Sequence, residues 1–371
     1  MSKILIIVIV VIIIGALGLN FYQKKSGPIT FLPNSSTKSE TDTKNPEKLT
    51  IITSGVEIPW EIAFLPNSNI LFTERTGKLK LIADGQVTTV TQIPDVKVYG
   101  EGGLMGLAIH PNFQKNKYIY LQFTFGSNDN DTFNRIVRYK YENGSLSDRK
   151  VIVDNIPGAI YHNGGRIKFG PDGFLYITTG DSLNPSFAQN TNSLAGKILR
   201  VTDEGAAAPG NPFNNLVYSY GHRNPQGLAW DKQGRLWSTE HGRSAPSGFD
   251  EVNIIVKGKN YGWPEIQGSE IKDGMEPPFA QSGQETWAPA GAAFVNNSFF
   301  FAGLKGEALY ELKVENNNAV IIKHLLNEFG RIRAVTLGPD KLLYISSSNR
   351  DGRGKPISQD DRIFQIDPSQ L

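Results

Sequence analysis

Residues 162–181 read HNGGRIKFGPDGFLYITTGD. A short strand-like run, RIKF, meets a turn at Pro171-Asp172. A second run, FLYITT, rich in β-branched and aromatic residues, leads away from it. This is the signature of a hairpin. Similar segments recur along the chain: IPWEIAFLPNSNILFTER from Ile58, GLMGLAIHPNFQKNKYIYLQF from Gly103, NPQGLAWDKQGRLWSTE from Asn224, PAGAAFVNNSFFFAGL from Pro289 and RIRAVTLGPDKLLYISSS from Arg331. With the opening segment they make six, roughly 45 to 65 residues apart, about the chain a four-stranded sheet and its loops consume. The gaps hold further short strands, such as NRIVRYKYE and ALYELKVE, and almost no helical period. The pattern predicts an all-β fold, a six-bladed β-propeller of four-stranded antiparallel blades. A solenoid fits the unequal repeat lengths less well, and two β-sandwiches would not explain why each repeat carries the same hairpin.

The rest of the chain frames this unit. Of 371 residues, 39% are hydrophobic and 20% charged, ordinary for a globular protein. The net charge of +2 gives no global field pointing to nucleic acid. The absence of cysteine excludes disulfides and thiolate metal sites. Residues 1–25 contain KILIIVIVVIIIGALGLNFY, flanked by Lys3, Lys24 and Lys25. The length is near the lower limit for a bilayer-spanning helix and long for a signal-peptide core. We read it as an N-terminal membrane anchor, with a cleaved export signal as the second reading. Residues 26–48, polar and rich in Ser and Pro, read as a disordered tether. Residues 49–371 form the propeller, which this leader places outside the cytoplasm, in the periplasm or at the cell surface.

Hairpin geometry places side chains. Residues equidistant from a turn face each other. His162 and Asp181 are symmetric about Pro171-Asp172, and Arg223 and His241 about Lys232. Arg331 and Arg333 precede or open the first strand of the last repeat, and Glu101 precedes that of the second. Equivalent blades bring all of these to one mouth of the ring. A carboxylate behind an imidazole fixes its tautomer and supports its charged form, as a general base requires; the bland alternative is a hairpin-closing polar pair. Arg223, Asn224, Lys305, Arg331 and Arg333 come from three repeats and make a cationic and polar set suited to a small planar polycarboxylate. Phosphate is less apt, because no Gly-rich loop leads into a helix. In EHGRSAPSGFDEVNII, Asp250 and Glu251 offer hard oxygens for calcium, or form a merely solvated acidic pair. Trp263 and His110 read as packing residues.

The segments GEGGLMGLAIHPNF, HNGGRIKFGPDGFLYITTGD, AGKILRV, YSYGHRNPQGLAWD, DEVNIIVKGKNYGWP, APAGAAF and GRIRAVTLGPDKLLYISS, in that order, resemble the soluble quinoprotein sugar dehydrogenases. These are the pyrroloquinoline quinone (PQQ)-dependent aldose and glucose dehydrogenases of the glucose/sorbosone dehydrogenase family. The likeness runs from about residue 50 to the C-terminus, and that family's fold is a six-bladed propeller. It implies oxidation of an aldose at its anomeric carbon to the lactone, with an external electron acceptor. His162 would take the anomeric hydroxyl proton while hydride passes from C1 to calcium-bound PQQ. Asp181 would orient His162, and Arg223, with Asn224 beside it, would stabilise charge on the quinone oxygen. Lys305, Arg331 and Arg333 would hold the PQQ carboxylates. Gly242 and Arg243 would give backbone carbonyls to the cofactor calcium, and Glu251 with the Tyr261 carbonyl would form a second, structural calcium site. Two positions depart from the family pattern. Glu101 stands where glutamine is common near the quinone, and Tyr161 stands where the glucose enzyme has aspartate. The alternatives are a non-catalytic cell-surface propeller that binds a glycan or protein, and a calcium-dependent lactonase.

Overall fold

The computed structural model describes residues 38–41, 49–128, 131–243, 248–315 and 318–371. It forms six sheets around one axis. Blade 1 comprises Pro59–Phe64, Ile70–Glu74, Lys78–Ala83 and Gln86–Gln92, counted from the axis outward. Blade 2 runs from Leu104–Ile109 to Ser145–Pro157, blade 3 from Ile167–Phe169 to Val217–Tyr220, and blade 4 from Pro225–Trp230 to Ala280–Gln281. Blade 5 runs from Pro289–Val295 to Asn318–His324. Each predicted repeat supplies the two innermost strands of one blade.

Blade 6 takes only three strands from the end of the chain: Ile332–Leu337, Leu343–Ser347 and Arg362–Ile366. Its outermost strand is Leu49–Ser54, antiparallel to Arg362–Ile366. The ring is therefore fastened by hydrogen bonds between the first and last strands of the propeller, a closure the repeat pattern does not reveal.

The core lies between blades rather than within them. Six apolar clusters each join two neighbours. Leu71, Leu79, Leu107 and Leu121 join blades 1 and 2, and Phe72, Ile62, Ala334 and Ile363 close the ring between blades 1 and 6. Second strands are consequently covered on both faces: Ile70–Glu74, Leu175–Thr179, Leu236–Glu240, Ser298–Gly303 and Leu343–Ser347 are buried throughout. That is why they read as continuous apolar and β-branched runs without clean alternation. The axis is filled near its centre. Arg166 lies over the Trp60 ring at 4.3 Å, is ion-paired with Glu61, and donates from Nε to the Gln226 carbonyl at 2.8 Å.

Two expectations about the N-terminal region meet different outcomes. The apolar stretch of residues 1–25 lies outside the described residues; among those described, no helix is long and apolar enough to cross a membrane. Within the segment expected to be a disordered tether, Lys38–Thr41 forms a strand pairing in parallel with Val320–Lys323 at the outer edge of blade 5. An exposed sheet edge offers unpaired backbone groups to any extended segment within reach, whatever its composition.

Candidate active site

The inner strands all start at the same mouth, and five of the six carry a register shift there: between Pro59 and Glu61, Leu104 and Leu107, Pro225 and Gly227, Pro289 and Ala292, and Ile332 and Val335. Bulges re-aim side chains and commonly flank functional sites. Here they hand the chain from strand to mouth loop.

His162 sits just before blade 3 with φ +62°, in the left-handed region. It can do so because Gly180 opposes it: a Cβ there would lie 2.0 Å from the His162 carbonyl oxygen. His162 Nδ1 donates to Asp181 Oδ1 at 2.7 Å. A carboxylate of this kind only accepts, so the proton resides on Nδ1 and Nε2 is left as the acceptor. Asp181 is itself held on every side. Oδ1 also accepts from the Leu183 amide at 2.9 Å, and Oδ2 accepts from Trp263 Nε1 at 2.8 Å. The Asp181 amide donates to the Arg223 carbonyl at 2.7 Å, which ties the His162 pair directly to the Arg223 loop. Trp263, expected only to pack, is thus a hydrogen-bond donor to the key carboxylate, and it lies 5.3 Å beneath the Arg223 guanidinium.

Arg223 and Asn224 are buried. Burial lowers the Arg223 pKa, and the carboxylates of Asp181, Asp250, Glu240 and Glu101 resist that shift. The Asn224 side-chain oxygen accepts from the Gly164 amide at 3.0 Å, while its buried Nδ2 has no partner. His241, the hairpin partner of this segment, has a buried Nε2 that is also unpartnered. Burial draws the His241 pKa down to about 3, against the pull of Glu101 and with the help of Arg223, His162 and Arg333. It is a neutral imidazole within electrostatic reach of Glu101, Arg223, His162 and Arg333, and it belongs with the site residues.

Arg331 and Arg333 are buried and share Asp351, which the sequence reading missed. Asp351 Oδ2 lies 2.8 Å from Arg331 Nη2 and 3.5 Å from Arg333 Nη2. Burial draws the Arg333 pKa down to about 10. Arg75, also missed, donates to the Asp351 carbonyl at 3.3 Å. Lys305 is exposed at the next loop. Glu101 sits at the mouth and its Oε2 accepts from the His162 amide at 3.2 Å. Burial would raise its pKa, but the interaction with His241, then Arg353 at 2.6 Å and the His162 amide, together outweigh burial and lower it. Its charge is therefore compensated by Arg353, whose guanidinium also lies 4.9 Å over the Tyr161 ring. The two departures from the family pattern meet in one cluster.

Gly242, Arg243, Glu251 and Tyr261, expected to divide between two calcium sites, line one small cavity of about 10 Å³ together with Arg223, Glu240 and Trp263, room for about one water or ion. Glu240 and Glu251 face each other across adjacent strands. Like charges placed so are unfavourable. Burial first, and then the Glu240 charge, hold the Glu251 pKa well above the usual range. Such a pair calls for a proton or a cation. Among the described residues no group of three or more His, Asp or Glu is arranged for a metal, so a cation here would depend largely on backbone carbonyls.

The mouth thus gathers a carboxylate-backed imidazole, a neutral second imidazole, five guanidinium groups and unpartnered buried polar atoms. That donor set fits a flat polyanionic cofactor with a sugar beside it. The profile of the Glucose / Sorbosone dehydrogenase family matches residues 56–357. The chain is 31% identical over 345 residues to the aldose sugar dehydrogenase YliI of Escherichia coli, covering 83% of this chain and 92% of that protein. It is 36% identical over 259 residues to quinoprotein glucose dehydrogenase B of Acinetobacter calcoaceticus, covering 60% of this chain and 54% of that one. Its fold matches the PQQ-bound aldose sugar dehydrogenase of Streptomyces coelicolor with a TM-score of 0.80 and 38% identity, over 86% of this chain and 97% of that one.

Proposed function

From the premise that this chain belongs to the glucose/sorbosone dehydrogenase family, we propose that it is a PQQ-dependent aldose sugar dehydrogenase. It oxidises the anomeric carbon of an aldose to the lactone level and passes the electrons to an external acceptor. The observation that carries this is the His162–Asp181 pair, bonded through the Asp181 amide to the loop of Arg223 at the mouth where Arg331, Arg333 and Arg75 converge.

PQQ, when bound with calcium, supplies the two-electron acceptor. His162 Nε2 is the base for the anomeric hydroxyl. As it gains that proton, Asp181 stabilises the imidazolium, a contribution typically worth about 10²- to 10⁴-fold in rate. Arg223 and Asn224 Nδ2 stabilise negative charge at the reacting end of the cofactor. Arg331, Arg333 and Lys305 pair with its carboxylates, and Asp351 keeps the first two in place when the site is open. Carbonyls of Gly242 and Arg243 would hold calcium, and Glu251 with the Tyr261 carbonyl would supply further oxygens to the one small cavity that all four residues line. The apolar leader of residues 1–25 exports the chain and, uncleaved, anchors it outside the cytoplasm, with residues 26–48 as the spacer.

The test is reconstitution of the full-length chain with PQQ and calcium, followed by dye reduction with a panel of aldoses. Turnover is expected for the wild type, and its loss in His162→Ala with PQQ binding, read by absorbance, unchanged. Full activity in His162→Ala overturns the base assignment. No PQQ binding at all favours the non-catalytic glycan-binding reading, and lactone hydrolysis without dye reduction favours a lactonase.

A further inference from the structure

Lys197 opens the third strand of blade 3, and its side chain is fully buried. Its Nζ donates to three backbone carbonyls: Phe187 at 2.6 Å, Ala188 at 3.0 Å and Ala195 at 2.6 Å. Among the described residues no carboxylate acts on it; burial alone does, drawing its pKa down to about 7. A charge without a counter-ion is costly inside a protein unless oriented dipoles replace the lost water. Here each of the three ammonium protons has one carbonyl, and three inward-pointing carbonyls are the donor set that elsewhere surrounds a metal cation.

Those carbonyls all belong to one loop, residues 181–196, which leaves the second strand of blade 3 at Asp181 and returns at Lys197. The same loop is bonded to the Arg223 segment. Gly221 N donates to the Ala188 carbonyl at 2.9 Å, His222 N to that of Gly196 at 3.2 Å, and Gly196 N to that of Gly180 at 2.7 Å. Without the ammonium, three buried carbonyls would face one another, and the loop would have to open to hydrate them.

We propose that Lys197 is a positioning residue for the His162–Asp181 pair: a cation built into the chain that holds the 181–196 loop closed, and through it the carboxylate behind the base. The proposal rests on the reading of His162 as the base, but it is testable apart from it. In the cofactor-free full-length chain, the Nδ1 proton of His162 should give a downfield NMR signal through its bond to Asp181. Lys197→Met should lose that signal, and on reconstitution lower kcat by about tenfold or more with KM for the sugar nearly unchanged. In Lys197→Ala, ammonium ion should restore both. A Lys197→Met protein that keeps the signal and wild-type kcat overturns the proposal. If the substitutions prevent folding, the ¹⁵Nζ shift of wild-type Lys197 at pH 6 decides: an ammonium upholds the proposal and a neutral amine overturns it. If the wild type oxidises no sugar, the functional reading fails, while the His162 signal still reports on positioning.

Discussion

Through its carboxylate and its amide N–H, Asp181 makes four hydrogen bonds, and each restricts where the imidazole of His162 can point. The Trp263 indole is the only one of the four partners that comes from blade 4. Replacing it with phenylalanine keeps most of the packing and removes one bond to a charged acceptor, worth about 1.5–3 kcal/mol. Trp263→Phe should therefore lower kcat by about tenfold with little change in KM; steady-state kinetics on the reconstituted protein checks this, and an unchanged kcat would mean that Oδ2 needs no donor. At this scale the sequence was readable where residues are linked by a hairpin. His162 and Asp181 pair because both flank one turn, and Arg223 and His241 fall together for the same reason. Trp263, Asp351 and Arg353 were not readable. They reach the mouth on irregular loops, where neither period nor turn chemistry says which way a side chain faces.

The elements show the same division. Six hairpins announce six blades, because second strands covered on both faces need continuous apolar runs. The outermost strand of blade 6 announces nothing. LTIITS is half-buried at Leu49, Ile52 and Thr53 and exposed at Thr50, Ile51 and Ser54, with no alternation, and its partner lies about three hundred residues away in sequence. It nevertheless completes the last sheet. Deleting Leu49–Ser54 exposes the full length of Arg362–Ile366 as an unpaired edge and unfastens blade 6 from blade 1. The deletion should abolish a single cooperative melting transition, as read by circular dichroism. Deleting Lys38–Thr41, which adds a fifth strand to an already complete sheet, should shift melting only slightly. Equal losses from the two deletions would refute the fastening role of the first.

For the molecule as a whole, burial at the mouth couples stability to pH. His241 has a folded pKa of about 3, below its ordinary 6.5, so the unfolded chain binds the extra proton between those values. His241 thus costs no stability above about pH 6.5 and costs progressively more as pH drops toward 3. Glu101, lowered by His241 and then by Arg353, adds a second loss below its ordinary 4.5 as pH falls through its folded value. His241→Gln should flatten the decline between pH 6.5 and 5 in thermal melts; an undiminished slope would place the titration elsewhere.

The fastened ring also fixes an order of events during synthesis. Leu49–Ser54 leaves the ribosome first among the propeller strands and waits, unmatched, for Arg362–Ile366, which leaves last. Every blade interface but one can form while the nascent chain lengthens; the sixth cannot. A mouth assembled from loops of blades 1 to 6 has no settled shape until that moment, so PQQ is expected to load only onto a finished polypeptide, and a ribosome stalled upstream of Arg362 releases a protein that cannot retain it.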